Sequence, residues 1–234
     1  MSAWWRARLV GREEQSGTGR TLRFDVPQWP GHLAGQHVDV RLSADDGYQA
    51  VRSYSLAAPE HGSGIELGVQ VVPDGEVSPY LARDLPAGAE VEVRGPLGGW
   101  FVWRPEQHEP VLLVAGGCGI VPLMAMIRAH RQAGSATPMR LVYSVRDPDQ
   151  VWYRDELTGA GPATTRIIYT RRAPPGSSRP PGRLTAGDLM PLGTSEDSSA
   201  LCFVCGSTGF VEHATGLLTR AGCDPGRIRT ERFG

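Results

Sequence analysis

"PVLLVAGGCGIVPLMAMI", residues 110–127, is the longest run of the chain without a charged residue. A membrane-spanning helix needs about 20 consecutive apolar residues, and Gly116, Gly117, Gly119 and Pro122 interrupt this stretch. A buried strand, a glycine turn and a buried helix satisfy it better. Pro122 suits a first helical turn, where its missing N–H costs nothing, and Leu123, Met126, Ile127 and His130 follow at helical spacing. The turn itself reads G-G-x-G-x-x-P. Glycines after a buried strand let a backbone approach a diphosphate, and the helix start behind them offers free amides and the positive end of a dipole. By itself this motif suits a ligand site or a plain tight turn equally well.

Working outward from that stretch, the chain has two grammars. Downstream come strand "RLVYSV", helix "VWYRDEL", strands "TRIIYT" and "ALCFVCG", helix "TGFVEHATGLLTRAG" and strand "RIRTERF". Strands alternating with helices predict a parallel sheet covered on both faces. Upstream, "WWRARLV", "RTLRFDV", "HVDVRL", "VRSYSLA", "GIELGVQVV" and "EVEVRG" alternate with period two and are separated by turn clusters. Short strands of this kind, with one helix before the last, predict a small antiparallel barrel. The expected fold is therefore two-domain: an antiparallel β-barrel over residues 1–106, then an α/β parallel-sheet nucleotide-binding domain over residues 107–234. "RRAPPGSSRPPGR" reads as a surface loop.

A net charge of -1 gives no footprint for a nucleic-acid partner. Lys and Asn are absent, so an anion site here must use Arg forks or backbone amides. Cys202 and Cys205 form C-x-x-C inside an apparent strand, without the second pair a zinc ribbon needs or the spacing of an iron–sulfur centre. They read as packed thiols, and no metal site is expected. "MSAWWRARLVGREE" lacks the apolar core of a secretion signal. The expectation is a soluble, cytoplasmic protein without a membrane span.

Two further stretches bear on chemistry. In "RSYS", residues 52–55, Arg52 and Tyr54 share one face of a strand and Ser53 and Ser55 the other. A cation beside an aromatic ring fits an edge strand in water, or a ligand with an anionic part and a flat part. "DGEVSPYLARDL" places Ser78 as N-cap and Pro79 at the first position of a short helix. Arg52 together with that helix start would make a second diphosphate site. Two such sites in two domains imply two dinucleotides facing each other, the arrangement that hydride transfer requires.

"RSYS", "GEVSPYL", "GPLGGWF", "AGGCGIVPLM", "VCGSTGF" and the terminal "ERFG" occur in the order found in the ferredoxin–NADP reductase superfamily. The chain resembles that family over essentially its whole length, in the bacterial branch without a fused iron–sulfur domain. The resemblance implies FAD on the first domain, held by Arg52, Ser53, Tyr54 and Ser55. Arg52 would pair with the diphosphate, Tyr54 stack on the isoalloxazine, and Ser55 point toward flavin N5. It further implies that Gly75, Val77 and Ser78 hold the diphosphate while Gln70, Val71 and Val72 line the ribityl chain and ring edge. Gly116, Gly117, Cys118, Gly119 and Pro122 would bind the nicotinamide dinucleotide, with Cys205 and Gly206 beside its ring. Glu231 would relay a proton, and Phe233 would either cover the flavin or pack the last strand.

One departure from the family is Ser207, which stands where Pro usually follows "CG" and puts the local backbone in question. Ser144, Arg146 and Arg171 favour the 2′-phosphate of NADPH, with NADH as the other choice. The implied activity is that of an FAD-dependent NAD(P)H oxidoreductase passing single electrons to an acceptor protein, a ferredoxin or an oxygenase component. Reduction of free flavin or another small acceptor, and a non-catalytic redox-sensing subunit, are the alternatives.

Overall fold

Residues 3–159, 161, 163–189 and 199–233 are described by a computed structural model. Six strands make the first sheet: β1 (Trp4–Ser16), β2 (Gly19–Asp25), β3 (His37–Ser43), β4 (Gln49–Ser55), β5 (Gly64–Gln70) and β6 (Glu90–Leu97). They pair antiparallel in the order β4-β3-β6-β1-β2-β5. An antiparallel bridge from Leu56 to Leu67 joins the two edges and rolls the sheet into a barrel. Alternate residues fill it, among them Leu22, Phe24, Val38, Val40, Leu67, Val69 and Val93. Leu81 and Leu85, on and just after the helical turns that begin with α1 (Val77–Pro79) and continue through Tyr80–Asp84, pack into the same core.

The second sheet is parallel, as the unbroken apolar strands demand. It contains β7 (Val111–Gly116), β8 (Met139–Val145), β9 (Ala163–Tyr169), β10 (Leu201–Ser207) and β11 (Ile228–Phe233), in the order β11-β10-β7-β8-β9. Residues of β7 go alternately to two cores. Val111, Leu113 and Ala115 pack with α2 (Ile120–Gln132), and Leu112 and Val114 pack with Val211, Ala214 and Leu218 of a later helix. The remaining helices are α3 (Arg154–Thr158), α4 (Ala186–Leu189) and α5 (Thr208–Arg220), the last of which supplies those three residues. The strand order reverses at the neighbouring pair β7 and β10, so the crevice for a dinucleotide opens at their carboxyl ends.

Two local expectations need correction. Ser78 is not the N-cap: Glu76 holds that position, and the Ser78 hydroxyl turns back to accept the Val72 N–H at 3.0 Å. The helix expected from Val151 begins only at Arg154. Tyr153 stands in the left-handed region at φ 54°, because barrel and α/β domain compete for it. Its amide donates to Gln15 Oε1 at 2.9 Å, and Thr21 Oγ1 donates to its hydroxyl at 3.2 Å.

That contact belongs to a wider junction. Trp152 Nε1 donates to Ser16 Oγ at 3.1 Å. Arg128 of α2 donates to Glu66 of β5 at 2.8 Å and to the Ala57 carbonyl at 3.1 Å, and it also grips Glu156 of α3. Burial alone would lower the pKa of Arg128, but the Glu156 hydrogen bonds and the charges of Glu156 and Glu66 outweigh it and hold the guanidinium protonated. Arg128→Ala would leave two half-buried carboxylates facing one another. Hydrogen bonds to charged groups are worth about 1.5–3 kcal/mol, so thermal unfolding of this variant should fall by roughly 3–12 °C.

Candidate functional site

Strand β4 carries the barrel's contribution. Its register sets Arg52 opposite Val40 and Tyr54 opposite Val38, so both side chains lie on the face of the barrel core at its open rim. Arg52 is exposed, donates to the Val51 carbonyl at 2.8 Å and meets no carboxylate among the described residues. Tyr54 is half-buried beside it, and burial pushes its hydroxyl up to about 12, with Arg52 opposing. Ser53 does not join them. Its hydroxyl donates to Asp39 Oδ1 at 2.6 Å on the other face, where Arg94 also binds Asp39.

Near Arg52 in the expected site lies the turn before α1. Asp74 adopts φ 62°, Gly75 N–H bonds the Val72 carbonyl at 3.1 Å, and no side chain caps the helix that begins at Val77. Val72 is 56% exposed and Gln70 is exposed, so both can line a ligand. Val71 cannot do so through its side chain, which is buried in the barrel core. An unpaired guanidinium, a half-open aromatic ring and an uncapped helix start fit the anionic and flat parts of FAD.

The α/β domain meets β4 at Ser55. This buried hydroxyl donates to Glu231 Oε1 of β11 at 3.3 Å. Glu231 lies beside Cys205 in the β10–β11 register. Burial pushes the Glu231 carboxyl up to about 7, and the Ser55 hydrogen bond limits the rise. The Cys205 thiol is raised well above its ordinary range by burial, then by the charges of Glu231 and Cys118. It is a packed, protonated thiol rather than a nucleophile.

The glycine turn touches the same place. A side chain on Gly119 would collide with the Cys205 carbonyl oxygen, so only glycine lets the start of α2 reach β10. Gly117, at φ 55°, has open space where a side chain would stand. Cys118 beside it is half-buried, its thiol pushed up to about 11 by burial. Pro122 is buried in the first turn of α2. Gly116 ends β7 opposite the buried Ser144 of β8. Arg146 and Arg171 follow, exposed and joined by an Arg171 N–H to Arg146 carbonyl bond of 2.9 Å. Neither guanidinium forms an ion pair among the described residues, whereas the next one, Arg172, binds Asp149 at 2.5 Å.

Ser207 ends β10 and caps α5 with φ -63°. That is the angle a proline ring imposes, so a proline at this position would fit the same backbone angle. Gly206 precedes it, buried, and Phe233 at the end of β11 lies opposite Ser207, partly buried against the α/β core. One neighbour escaped the sequence reading. His37 of β3 sits directly opposite Ser55 and close to Gly98, and burial lowers its pKa with Asp39 opposing. A histidine opening an ordinary alternating strand carries no spacing signal, and only the strand pairing brings it here.

Residues 6–102 match the oxidoreductase FAD-binding domain and residues 113–216 the oxidoreductase NAD-binding domain. The chain is 36% identical over 166 residues to ferredoxin–NADP reductase B of Sorangium cellulosum (strain So ce56), covering 70% of this chain and 67% of that protein. It is 28% identical over 217 residues to the ferredoxin–NAD(P)(+) reductase component of the naphthalene 1,2-dioxygenase/salicylate 5-hydroxylase systems of a Ralstonia species, covering 92% of this chain and 64% of that one. It thus spans about two thirds of the length of these relatives. Among solved structures, the flavohem-like FAD/NAD-binding domain of nitric oxide dioxygenase from Vibrio cholerae O1 biovar El Tor superposes with a TM-score of 0.85 at 19% identity, over 100% of both chains.

Glu231 makes the junction sensitive to pH. Its folded pKa of about 7 lies above the ordinary 4.5, so the stability it contributes is complete below pH 4.5 and is lost as pH rises through 7. Thermal melts should therefore show the parent losing stability across that window relative to Glu231→Gln, which cannot ionise. Parallel pH profiles for the two proteins would contradict the assignment.

Proposed function

We infer that this chain, which belongs to the ferredoxin–NADP reductase-like family of FAD- and NAD(P)-binding oxidoreductases, would with bound FAD take a hydride from NADPH, pass its two electrons singly to an acceptor protein, a ferredoxin or an oxygenase component, and release the proton to solvent. The observation that carries this reading is the Ser55–Glu231 contact, in which the strand suited to a flavin meets the strand end beside the nicotinamide crevice. A pure binding module has no need for two nucleotide sites that converge on one hydroxyl–carboxyl pair.

The placement of the residues supports a role for each. Arg52 neutralises a diphosphate with a planar fork that lysine cannot offer. Tyr54 presents a flat face, and Phe233 closes the crevice from the other domain until a nicotinamide displaces it. Ser55 and Glu231 hold a proton at the junction, since a carboxyl with a pKa of about 7 gives and takes one near neutral pH. Gly116, Gly117 and Gly119 admit the second diphosphate, and Cys205 and Gly206 form the floor under its ring. We take residues 1–106 as the FAD domain and 107–234 as the nicotinamide domain. Four cysteines, none of them in a disulfide, suit a reducing compartment, the cytoplasm. No helix among the described residues is long and apolar enough to cross a membrane.

Reading NADPH over NADH rests on Arg146 and Arg171, two exposed guanidinium groups held side by side. Each charge-assisted bond to a 2′-phosphate is worth about 1.5–3 kcal/mol. Replacing both by Ala should raise the KM for NADPH at least tenfold and leave that for NADH nearly unchanged. The function itself is tested with the purified protein under nitrogen. NADPH should bleach its yellow colour, and a panel of ferredoxins should restore it faster than free flavin does. A protein that binds FAD but is not bleached by either nicotinamide would refute the reading.

A further inference from the structure

The C-x-x-C of β10 does not close on itself. Successive side chains of a strand point to opposite faces, and Cys202 and Cys205 are three residues apart. Cys205 accordingly packs on the α2 side with Phe203, whereas Cys202 faces the core beneath α5 with Val204. A partner for Cys202 comes from the far end of that helix. There the chain reads "RAGC", residues 220–223, and Gly222 turns left-handed at φ 94°. Its N–H donates to the Thr219 carbonyl at 3.0 Å, and the Cys223 N–H donates to the Leu218 carbonyl at 3.1 Å. Those two bonds make the glycine-terminated cap in which the residue after the glycine folds its side chain back onto the last helical turn. Cys223 therefore leans inward and packs against the cluster that holds Cys202. A hydrogen bond joins the two thiols.

The two sulfurs differ in their access to solvent. Cys202 is fully buried, and its thiol is pushed up to about 12 by burial, then by the charge of Cys223 and the hydrogen bond to it. Enclosed and protonated, it is a poor first target for an oxidant. Cys223 is half-buried between exposed Gly222 and exposed Asp224. An oxidant arriving from solvent meets Cys223 first and leaves it beside a second thiol. A reachable cysteine next to a resolving one is the arrangement of a redox-sensing pair. Disulfides in reducing compartments are mostly of this transient kind.

We propose that Cys202 and Cys223 are a peroxide-responsive modification site, forming a reversible disulfide that staples the end of α5 to β10. The Cys223 sulfur attacks one oxygen of hydrogen peroxide, and the O–O bond breaks to leave a sulfenic acid and one water. The Cys202 sulfur then attacks the Cys223 sulfur. The S–S bond forms as the S–O bond breaks, and the hydroxyl departs with the Cys202 proton as a second water. Two thiols together lose two electrons, and the peroxide takes them. A dithiol reverses the change by exchange. The staple acts on both strands beside the crevice, since β10 runs on to Cys205 and Gly206 and the segment after Cys223 leads into β11 with Glu231. Its chemistry does not rest on the nucleotide reading, because neither sulfur belongs to the nucleotide sites.

The test treats the full-length protein with hydrogen peroxide, removes the excess with catalase, alkylates the remaining thiols under denaturing conditions and maps the peptides by mass spectrometry. The expected product is a linked peptide joining Cys202 to Cys223, with Cys118 and Cys205 still alkylated. Dithiothreitol should return all four thiols. Because the bond closes a loop in the unfolded chain, the unfolding temperature of the oxidised protein should rise by roughly 6–12 °C and fall back on reduction. Cys223→Ser should show neither the linked peptide nor the rise, and the peptide map of the parent decides the matter if that variant fails to fold. Four alkylated thiols after peroxide, a link from Cys118 to Cys205, a link between two chains, or a sulfinic acid on Cys223 without a link would each overturn the proposal. A linked peptide with no rise in unfolding temperature would overturn the staple.

Discussion

Arg128 brings a positive charge into the junction between the two domains, where Glu66 of the barrel and Glu156 of the α/β domain both reach it. A charge moved out of water must be paired or its burial is costly. Here the pairing is completed only when both domains are in place, and the Ala57 carbonyl adds a third acceptor. The guanidinium therefore sets the relation between the two sheets. Trp152 and Tyr153 extend the junction, and Tyr153 accepts a left-handed backbone to do so.

With the domains held this way, the carboxyl ends of β7 and β10 open toward the rim of the barrel where β4 ends. Two close approaches make that meeting chemically useful. Gly119 against the Cys205 carbonyl brings the glycine turn onto β10, and Ser55 against Glu231 brings the barrel onto β11. The second contact half-buries a carboxyl that has one hydroxyl for company, so desolvation prevails and pushes its pKa up to about 7. The raised carboxyl pKa at the junction is a consequence of how closely the domains meet.

Each of the six barrel strands was legible in the alternation of its residues, and the parallel sheet in runs such as "VLLVA", because solvent contact on one face or on neither imprints a different period. The glycine turn was legible for a similar reason, since few residues besides glycine allow so close a backbone. Less was legible where two domains compete for the same residues. The helix expected at Val151 starts three residues late because Trp152 and Tyr153 pack on the barrel, and Ser78 abandons the cap for the Val72 amide. Such choices depend on neighbours far along the chain.

Sequence alone determined the two layers of architecture, the identity of the strand bearing Arg52 and Tyr54, and the glycine turn, all of which follow from local periodicity and steric need. Tertiary structure decided that Ser53 turns to Asp39, that Val71 is lost to the barrel core, that His37 stands beside Ser55, and that half-buried Glu231 meets Ser55 there. Strand register and domain closure settle these, and both are set by packing between residues far apart in the chain, which no local pattern records.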